Sequence, residues 1–419
     1  MSDRRMPLRG NLTRRRFLQG SAMAGVAAFL AACTGTKTGT SAAPSTAAAS
    51  ASAAASVEAS PSVAATPKVA TGPLKFANWP AYIDLAGAAA EAEEYQPGSS
   101  PALEAFKKKY SIDVDYQEKI DGNDSFVQTI KPALVGGLPT GWDLMVLTDW
   151  MASKIVANNW AEKIDQTNVP TAKKNLREAL RNQPWDPGND FHYPWQSGMT
   201  GVGFNAKTLK ANRIALPTKI ADLWAIPSNK VTFLDEARDT VGLVLLKLGI
   251  DPDPAKVTVD DMQKVADDVQ PLVDKGLRFT GNSYLKDFGQ KKVWAAFVWS
   301  GDLASSGGPD DKFIFPDEGV LIWTDNMLIP KGAANKYSAE LMIDYVYDPT
   351  IAAQIAAYVY YVSPVQGADV EIKKLDAAAA SNPLLFPTPE IVAKQHNFQS
   401  LSTELEDSMN EHFSTLSGT

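Results

Sequence analysis

At about Pro73 the sequence changes character, and that boundary decides how much of the chain can fold. Residues 34–72 are almost entirely Ala, Ser, Thr, Pro and Gly, with no large hydrophobe beyond a few valines and no apolar periodicity. Such a stretch buries too little apolar surface to offset its ordering entropy, so it is predicted to be a flexible stalk. From residue 73 onward aromatic and branched side chains return. Residues 73–419 are more than one hydrophobic core usually holds, so two lobes are expected.

The segment before the stalk reads TRRRFLQGSAMAGVAAFLAAC over residues 13–33. Arg14 and Arg15 precede Phe17-Leu18, a short apolar run and then Leu30-Ala31-Ala32-Cys33. This resembles a twin-arginine export signal ending in a bacterial lipobox. The run is too short and too rich in small residues for a membrane span. Cys33 is the only cysteine, so there is no disulfide framework; its predicted role is to carry the lipid after cleavage. The expected location is extracytoplasmic, at the cell surface or in the periplasm, with a body tethered to the membrane by acyl chains. Residues 1–33 hold six arginines and one aspartate, net +5, so removing them takes the formal charge from −8 to −13. An acidic body argues against nucleic acid as a partner and is compatible with a cationic ligand.

Beyond residue 73, strand-like and helix-like patterns alternate. Residues 74–79 read as a strand, 101–109 as an amphipathic helix opened by Pro101, and 112–116 as a period-two strand. A helix follows from Phe126 to Val135, then buried strands at 143–147 and 231–234. A helix is expected to open at Asp235, and a long helical pattern over 338–358 is broken at Pro349. Strands alternating with helices predict an α/β body with a mainly parallel sheet. Residues 85–100, rich in Ala and Glu, read as an insertion in the first connection.

Several short motifs occur in order along this body. Asn78-Trp79-Pro80-Ala81-Tyr82 ends the first strand, and Asp143-Leu144-Met145-Val146 is followed by Thr148 and Trp150. Residues 184–205 read PWDPGNDFHYPWQSGMTGVGFN. Then come Leu234-Asp235-Glu236-Ala237-Arg238-Asp239, Trp299-Ser300-Gly301-Asp302, Trp323-Thr324-Asp325 and Tyr361-Val362-Ser363-Pro364. In this order they resemble the type II extracellular solute-binding proteins of ABC transporters, and within them the spermidine/putrescine-binding proteins. The resemblance implies a periplasmic-binding-protein-like type II fold: two α/β lobes joined by hinge strands, with the ligand cleft between them. It implies crossings near 198–203 and 325–330, with residues 73–198 plus 326–370 as the first lobe and 199–325 plus 371–419 as the second. It also implies an ABC permease and ATPase complex as partner, a monomeric protein, and no catalytic residue, metal or cofactor.

A polyamine presents ammonium groups separated by methylenes. Holding one needs carboxylates at fixed spacing and flat aromatic walls, which also attract ammonium directly by about 0.5–2 kcal/mol each. The matched positions supply Trp79, Tyr82, Trp150, Trp299, Trp323 and Tyr361 as aromatics, Glu236, Asp239 and Asp325 as carboxylates, and Thr148 as a neutral hydrogen-bonding group. Glu236 and Asp239 are spaced i,i+3 at a helix start and share a face. The same spacing also suits a helix-dipole role, with Asp235 as N-cap. Asp325 is expected at the end of the buried run GVLIWTDNMLIP, where it either needs a partner or caps a turn. For the aromatics the alternative is ordinary core packing. The family often has an acidic residue directly before the tyrosine of its first loop; here that residue is Ala81, leaving Asp84 or Asp149 as replacements, or a shorter diamine or polar-tailed amine as ligand.

Three rival readings stand beside this one. An exported enzyme acting on a small molecule has thin support: His192, His396 and His412 lack metal-ligand spacing, and no nucleophile elbow, P-loop or dinucleotide-binding fingerprint is present. The same fold could bind another solute, but an anion would call for basic or helix N-terminal donors. A purely structural surface lipoprotein is the third.

Overall fold

The alternating pattern resolves into one mixed sheet flanked by helices, in a computed structural model that describes residues 69–92, 95–281, 283–377, 379–398 and 401–418. The signal at 1–33, its Cys33 and the stalk as far as residue 68 lie outside the described residues. The strands are β1 (Leu74–Asn78), β2 (Val114–Glu118), β3 (Leu144–Thr148), β4 (His192–Asn205), β5 (Val231–Leu234), β6 (Arg278–Thr280), β7 (Ala295–Trp299), β8 (Asp311–Ile314), β9 (Val320–Leu328) and β10 (Gln395–His396). Their order is β2-β1-β3-β9-β4-β7-β5-β6, with β8 on β4 and β10 on β9.

The sheet has two parallel halves and an antiparallel centre. β1 runs parallel to β2 and β3, and β5 runs parallel to β6 and β7. Between these halves lie β4 and β9, antiparallel to each other from His192↔Leu328 to Thr200↔Leu321. β9 also pairs antiparallel with β3, and β4 with β7. The expectation of a mainly parallel sheet therefore holds for the halves and fails at the centre. There the fourteen residues of β4 are buried almost throughout, so no period-two alternation betrays them.

Ten helices matter here. The first four are α1 (Gly87–Ala92), α2 (Pro101–Tyr110), α3 (Asn123–Val135) and α4 (Asp149–Ala157). Next come α5 (Ala237–Lys247), α6 (Val259–Val273), α7 (Ser300–Ser306), α8 (Lys336–Val346), α9 (Pro349–Val359) and, closing the chain, α10 (Thr403–Ser417). α2 shows how local chemistry sets an element: the Ser100 hydroxyl accepts from Leu103 N–H, Pro101 takes the first turn, and Ser111 ends the helix in the left-handed conformation at φ 59°. Pro349 starts α9 and separates it from α8, as expected. The α4 helix packs on β3 and β9, whereas α10 packs on α6 and α5. Strand boundaries shift by one or two residues from the expectation at β2 and β3.

Candidate functional site

The parallel strands β1, β3, β5 and β7 all end at one cleft, which is where open α/β sheets present their ligand-binding loops. Trp79, Pro80 and Tyr82 follow β1, and Thr148 and Trp150 lie at the β3–α4 junction. Glu236, Arg238 and Asp239 begin α5 after β5. Trp299 and Asp302 follow β7 into α7, while Trp323 and Asp325 project from β9. Tyr361 follows α9 and Phe398 precedes α10. Together these residues line a cavity of about 740 Å³, part of it open to solvent.

All ten residues singled out from the sequence line this cavity: Trp79, Tyr82, Thr148, Trp150, Glu236, Asp239, Trp299, Trp323, Asp325 and Tyr361. Asp325 lies within β9, opposite Gln196 and Thr148, rather than at a strand end. It accepts the Tyr82 hydroxyl at 2.8 Å and the Thr148 hydroxyl at 2.7 Å. Thr148 is itself fixed by Asn123, whose amide donates to its hydroxyl and accepts its N–H, both at 3.0 Å. Across the cleft Asp239 accepts from the Thr200 hydroxyl and from Trp299 Nε1 at 3.2 Å. Trp323 Nε1 donates to Thr200 at 3.0 Å, extending that network to a second wall. Glu236 receives one backbone N–H, from Asn123, at 3.3 Å. The N-cap of α5 is Glu236, in extended conformation at φ −107°, and not the expected Asp235.

Burial governs the electrostatics. Desolvation pushes the Glu236 carboxyl up to about 8, with Asp239 adding repulsion. It pushes Asp325 up to about 7, against the hydrogen bonds from Thr148 and Tyr82. It pushes Asp239 up to about 6, against those from Thr200 and Trp299. Among the described residues the only basic one lining the cavity, Arg238, is engaged by Glu406. These carboxyls, Asp325 buried and Glu236 and Asp239 half-buried, are thus desolvated groups in need of a positive partner.

The aromatic walls fit where glycines leave room. A Cβ at Gly198 would come within 2.4 Å of the Trp323 ring and 2.8 Å of Tyr361, and one at Gly301 within 2.5 Å of Tyr361. Tyr361 meets Tyr82 edge-on at 5.4 Å and Trp323 at 5.3 Å. Trp79 is held by Nε1 donating to the Val146 carbonyl at 3.1 Å.

Sequence reasoning missed Asn123, Arg238, Asp302 and Phe398 as lining residues. Arg238 and Asp302 stood inside two of the quoted motifs. Asp302 accepts the hydroxyls of Tyr361 and Tyr284, each at 2.8 Å. Neither proposed replacement for the absent acid beside Tyr82 reaches the cavity. Asp84 is buried against Ser100, Ala102 N–H and Gln354, and Asp149 accepts from Thr324 N–H and Asn326. Asp84 ties the first loop to α2 and α9, and Asp149 ties the start of α4 to β9. Ala81 itself takes φ 54° and donates its N–H to Glu118 at 2.7 Å. Among the described residues no group of three His, Cys, Asp or Glu side chains is arranged to hold a metal ion, and no helix is long and apolar enough to cross a membrane.

Two α/β halves, two crossing strands between them and an acidic, aromatic-walled cleft at the strand ends define a solute-binding protein of the type II periplasmic-binding fold. The profile described as bacterial extracellular solute-binding protein matches residues 140–395, well over half of the chain, and the protein belongs to that family. Its members are substrate-binding components of transporters rather than enzymes, working outside the cytoplasm. Among relatives, the spermidine/putrescine-binding periplasmic protein 1 of Haemophilus influenzae is 27% identical over 312 residues, 72% of this chain and 81% of that protein. The putrescine-binding periplasmic protein PotF of Escherichia coli is 26% identical over 307 residues, 69% of this chain and 80% of its own. In fold, the chain is similar to the TpPotD lipoprotein of Treponema pallidum, at TM-score 0.64 and 19% identity, with 83% of this chain and 99% of that one covered. The spermidine/putrescine ABC transporter substrate-binding protein PotD of Streptococcus pneumoniae gives TM-score 0.62 at 23% identity, covering 82% and 98%.

Proposed function

We propose that this protein captures a small organic cation, putrescine or a close polyamine relative, in the cleft and delivers it to an ABC permease and ATPase complex. The observation that carries the reading is the set of carboxyls Glu236, Asp239 and Asp325 gathered on one aromatic-walled cavity, all three raised by desolvation. A diammonium chain supplies the missing positive charges, and the rings of Trp79, Trp150, Trp299, Trp323, Tyr82 and Tyr361 suit its methylenes. Thr148 acts by orienting Asp325. The names of the relatives support the same solute class. Calorimetry against putrescine, spermidine, a neutral sugar and a dicarboxylate tests it. Putrescine or spermidine should bind; a response to the sugar or dicarboxylate alone overturns the solute.

In this reading residues 73–198 plus 326–370 form one lobe and 199–325 plus 371–419 the other, and they close on the solute as a hinge. The protein works as a monomer. It is exported by the twin-arginine signal and anchored through lipidated Cys33, with residues 34–72 as its tether. Cys33→Ser should move the protein out of the membrane fraction; retention there counts against the anchor.

A further inference from the structure

Outside the solute contacts, the rim of the cleft carries a chain of charges that joins the two halves. Lys154, on α4 of the β1–β3 half, places Nζ 2.6 Å from Oε2 of Glu406, on α10 of the other half. The second oxygen of Glu406 pairs with Arg238, at the start of α5. Both cations also lie over the Trp150 ring, with Arg238 Cζ 4.5 Å and Lys154 Nζ 5.1 Å from its centroid. The Glu406 side chain is 12% exposed and that of Arg238 7%, so this chain is shielded from solvent far more than an ordinary surface pair. Trp150 is in turn a wall of the cavity.

The two links of the chain differ in what they cross. Arg238 and Glu406 sit on helices that pack together, α5 and α10, so their pair survives a rotation of the halves. Lys154 sits on α4, which packs on β3 and β9, so its bond to Glu406 exists only while the halves are together. Glu406 also cancels the charge of Arg238, a base facing a site read as built for a cation. We infer that Lys154, Glu406 and Arg238 form a closure latch, with Lys154–Glu406 as the bond that opens, and that it sets how long a solute is retained rather than which solute is chosen. A contact made only in the closed form slows opening and leaves encounter alone, so it acts on the dissociation rate.

The solute in the test rests on the putrescine reading; the latch also has a readout of its own. Lys154→Met is the working variant, because Lys154 is the most exposed member, at 36%, and touches no solute. Small-angle scattering of the solute-free full-length protein at low ionic strength should show a larger radius of gyration for Lys154→Met than for wild type, with Lys154→Arg restoring it. In stopped-flow tryptophan fluorescence, putrescine should leave Lys154→Met roughly five- to tenfold faster while its association rate stays within about twofold. Glu406→Gln should match this dissociation effect and also lower thermal stability, since it strands Arg238; Lys154→Met should not lower it. Equal putrescine dissociation rates in wild type and Lys154→Met overturn the latch. Should putrescine bind neither protein, the solute assignment fails, and scattering alone decides: equal radii of gyration then overturn the latch and a larger one for Lys154→Met supports it.

Discussion

The two sides of the cleft hold their carboxylates in different ways. Asp325, on β9, is gripped by two hydroxyls from separate elements, Tyr82 after β1 and Thr148 at the end of β3. Asp239, on the opposite side, has an equivalent pair in Thr200 and Trp299. Glu236, one turn earlier at the α5 N-terminus, has a single long N–H contact that comes from the other half of the molecule. Asp325 is buried and the other two are half-buried, yet the least supported holds its proton hardest, at about 8 against about 7 and about 6. Hydrogen bonds to a carboxylate stabilise its charged form, and burial without them favours the neutral one. Asp325 and Asp239 are therefore oriented before a solute arrives, whereas Glu236 depends on the solute and on closure for its charge.

The sharpest way to break this contrast is to remove one charge from each side. Asp325→Asn keeps the shape of the side chain and deletes a pre-oriented acceptor. A hydrogen bond to a charged group is worth about 1.5–3 kcal/mol, so putrescine affinity should fall roughly ten- to hundredfold with the fold intact. Glu236→Gln should cost less, about tenfold or below, because its charge is incomplete at neutral pH before binding. Calorimetry on both variants orders them; a larger loss for Glu236→Gln reverses the comparison.

The pH response sharpens it further. A carboxyl whose folded-state value is raised contributes stability that is full below its unfolded value, near 4, and is lost as pH rises through the folded value. Glu236, Asp325 and Asp239 should therefore make the solute-free protein progressively less heat-stable between about pH 4 and pH 8. A bound dication favours the ionised forms, so putrescine binding should release protons near pH 7 and tighten severalfold from pH 6 to pH 8. Calorimetry in buffers of different ionisation heat measures the protons directly. Glu236→Gln should remove the upper part of the window and leave the lower part, where Asp239 titrates. Binding that neither releases protons nor tightens with pH is incompatible with carboxyls held neutral until the cation arrives.

What was legible in the sequence follows the same division. Residues that face the cleft from the ends of strands, such as Trp79, Thr148 and Trp299, were visible because short motifs mark those ends. The parallel halves were visible because strand and helix periods alternate. The run that becomes β9 was visible as a buried strand, but its antiparallel pairing was not, because β4 is buried along nearly its whole length and nothing local marks the direction or partner of either strand. Asp302 was overlooked beside Trp299 because its partners, Tyr284 and Tyr361, lie 18 and 59 residues away. Glu406 is 168 residues from Arg238, and nothing local in α10 announces the pair. Asp84 shows the opposite error: an acid near the first loop that the fold spends on Ser100 and Gln354 rather than on the cleft.

The smallest effect separates direct from indirect support on the Asp239 side. Trp299 gives its indole N–H to Asp239 itself, whereas Trp323 gives its own to Thr200, which then donates to Asp239. Replacing either indole by Phe keeps an aromatic wall and removes that donor. Trp299→Phe takes a bond from the carboxylate, so it should raise the Asp239 value and weaken putrescine binding roughly five- to tenfold at pH 7. Trp323→Phe leaves both bonds to Asp239 in place and loses only the neutral contact that orients the Thr200 hydroxyl. A bond of that kind contributes about 0.5–1.5 kcal/mol, and only part of it is felt at the solute, so affinity should fall about two- to threefold. In the double variant, affinity losses that multiply mean the two indoles act separately. A combined loss smaller than that product means that Thr200 carries the influence of Trp323 to Asp239, as the chain of hydrogen bonds requires.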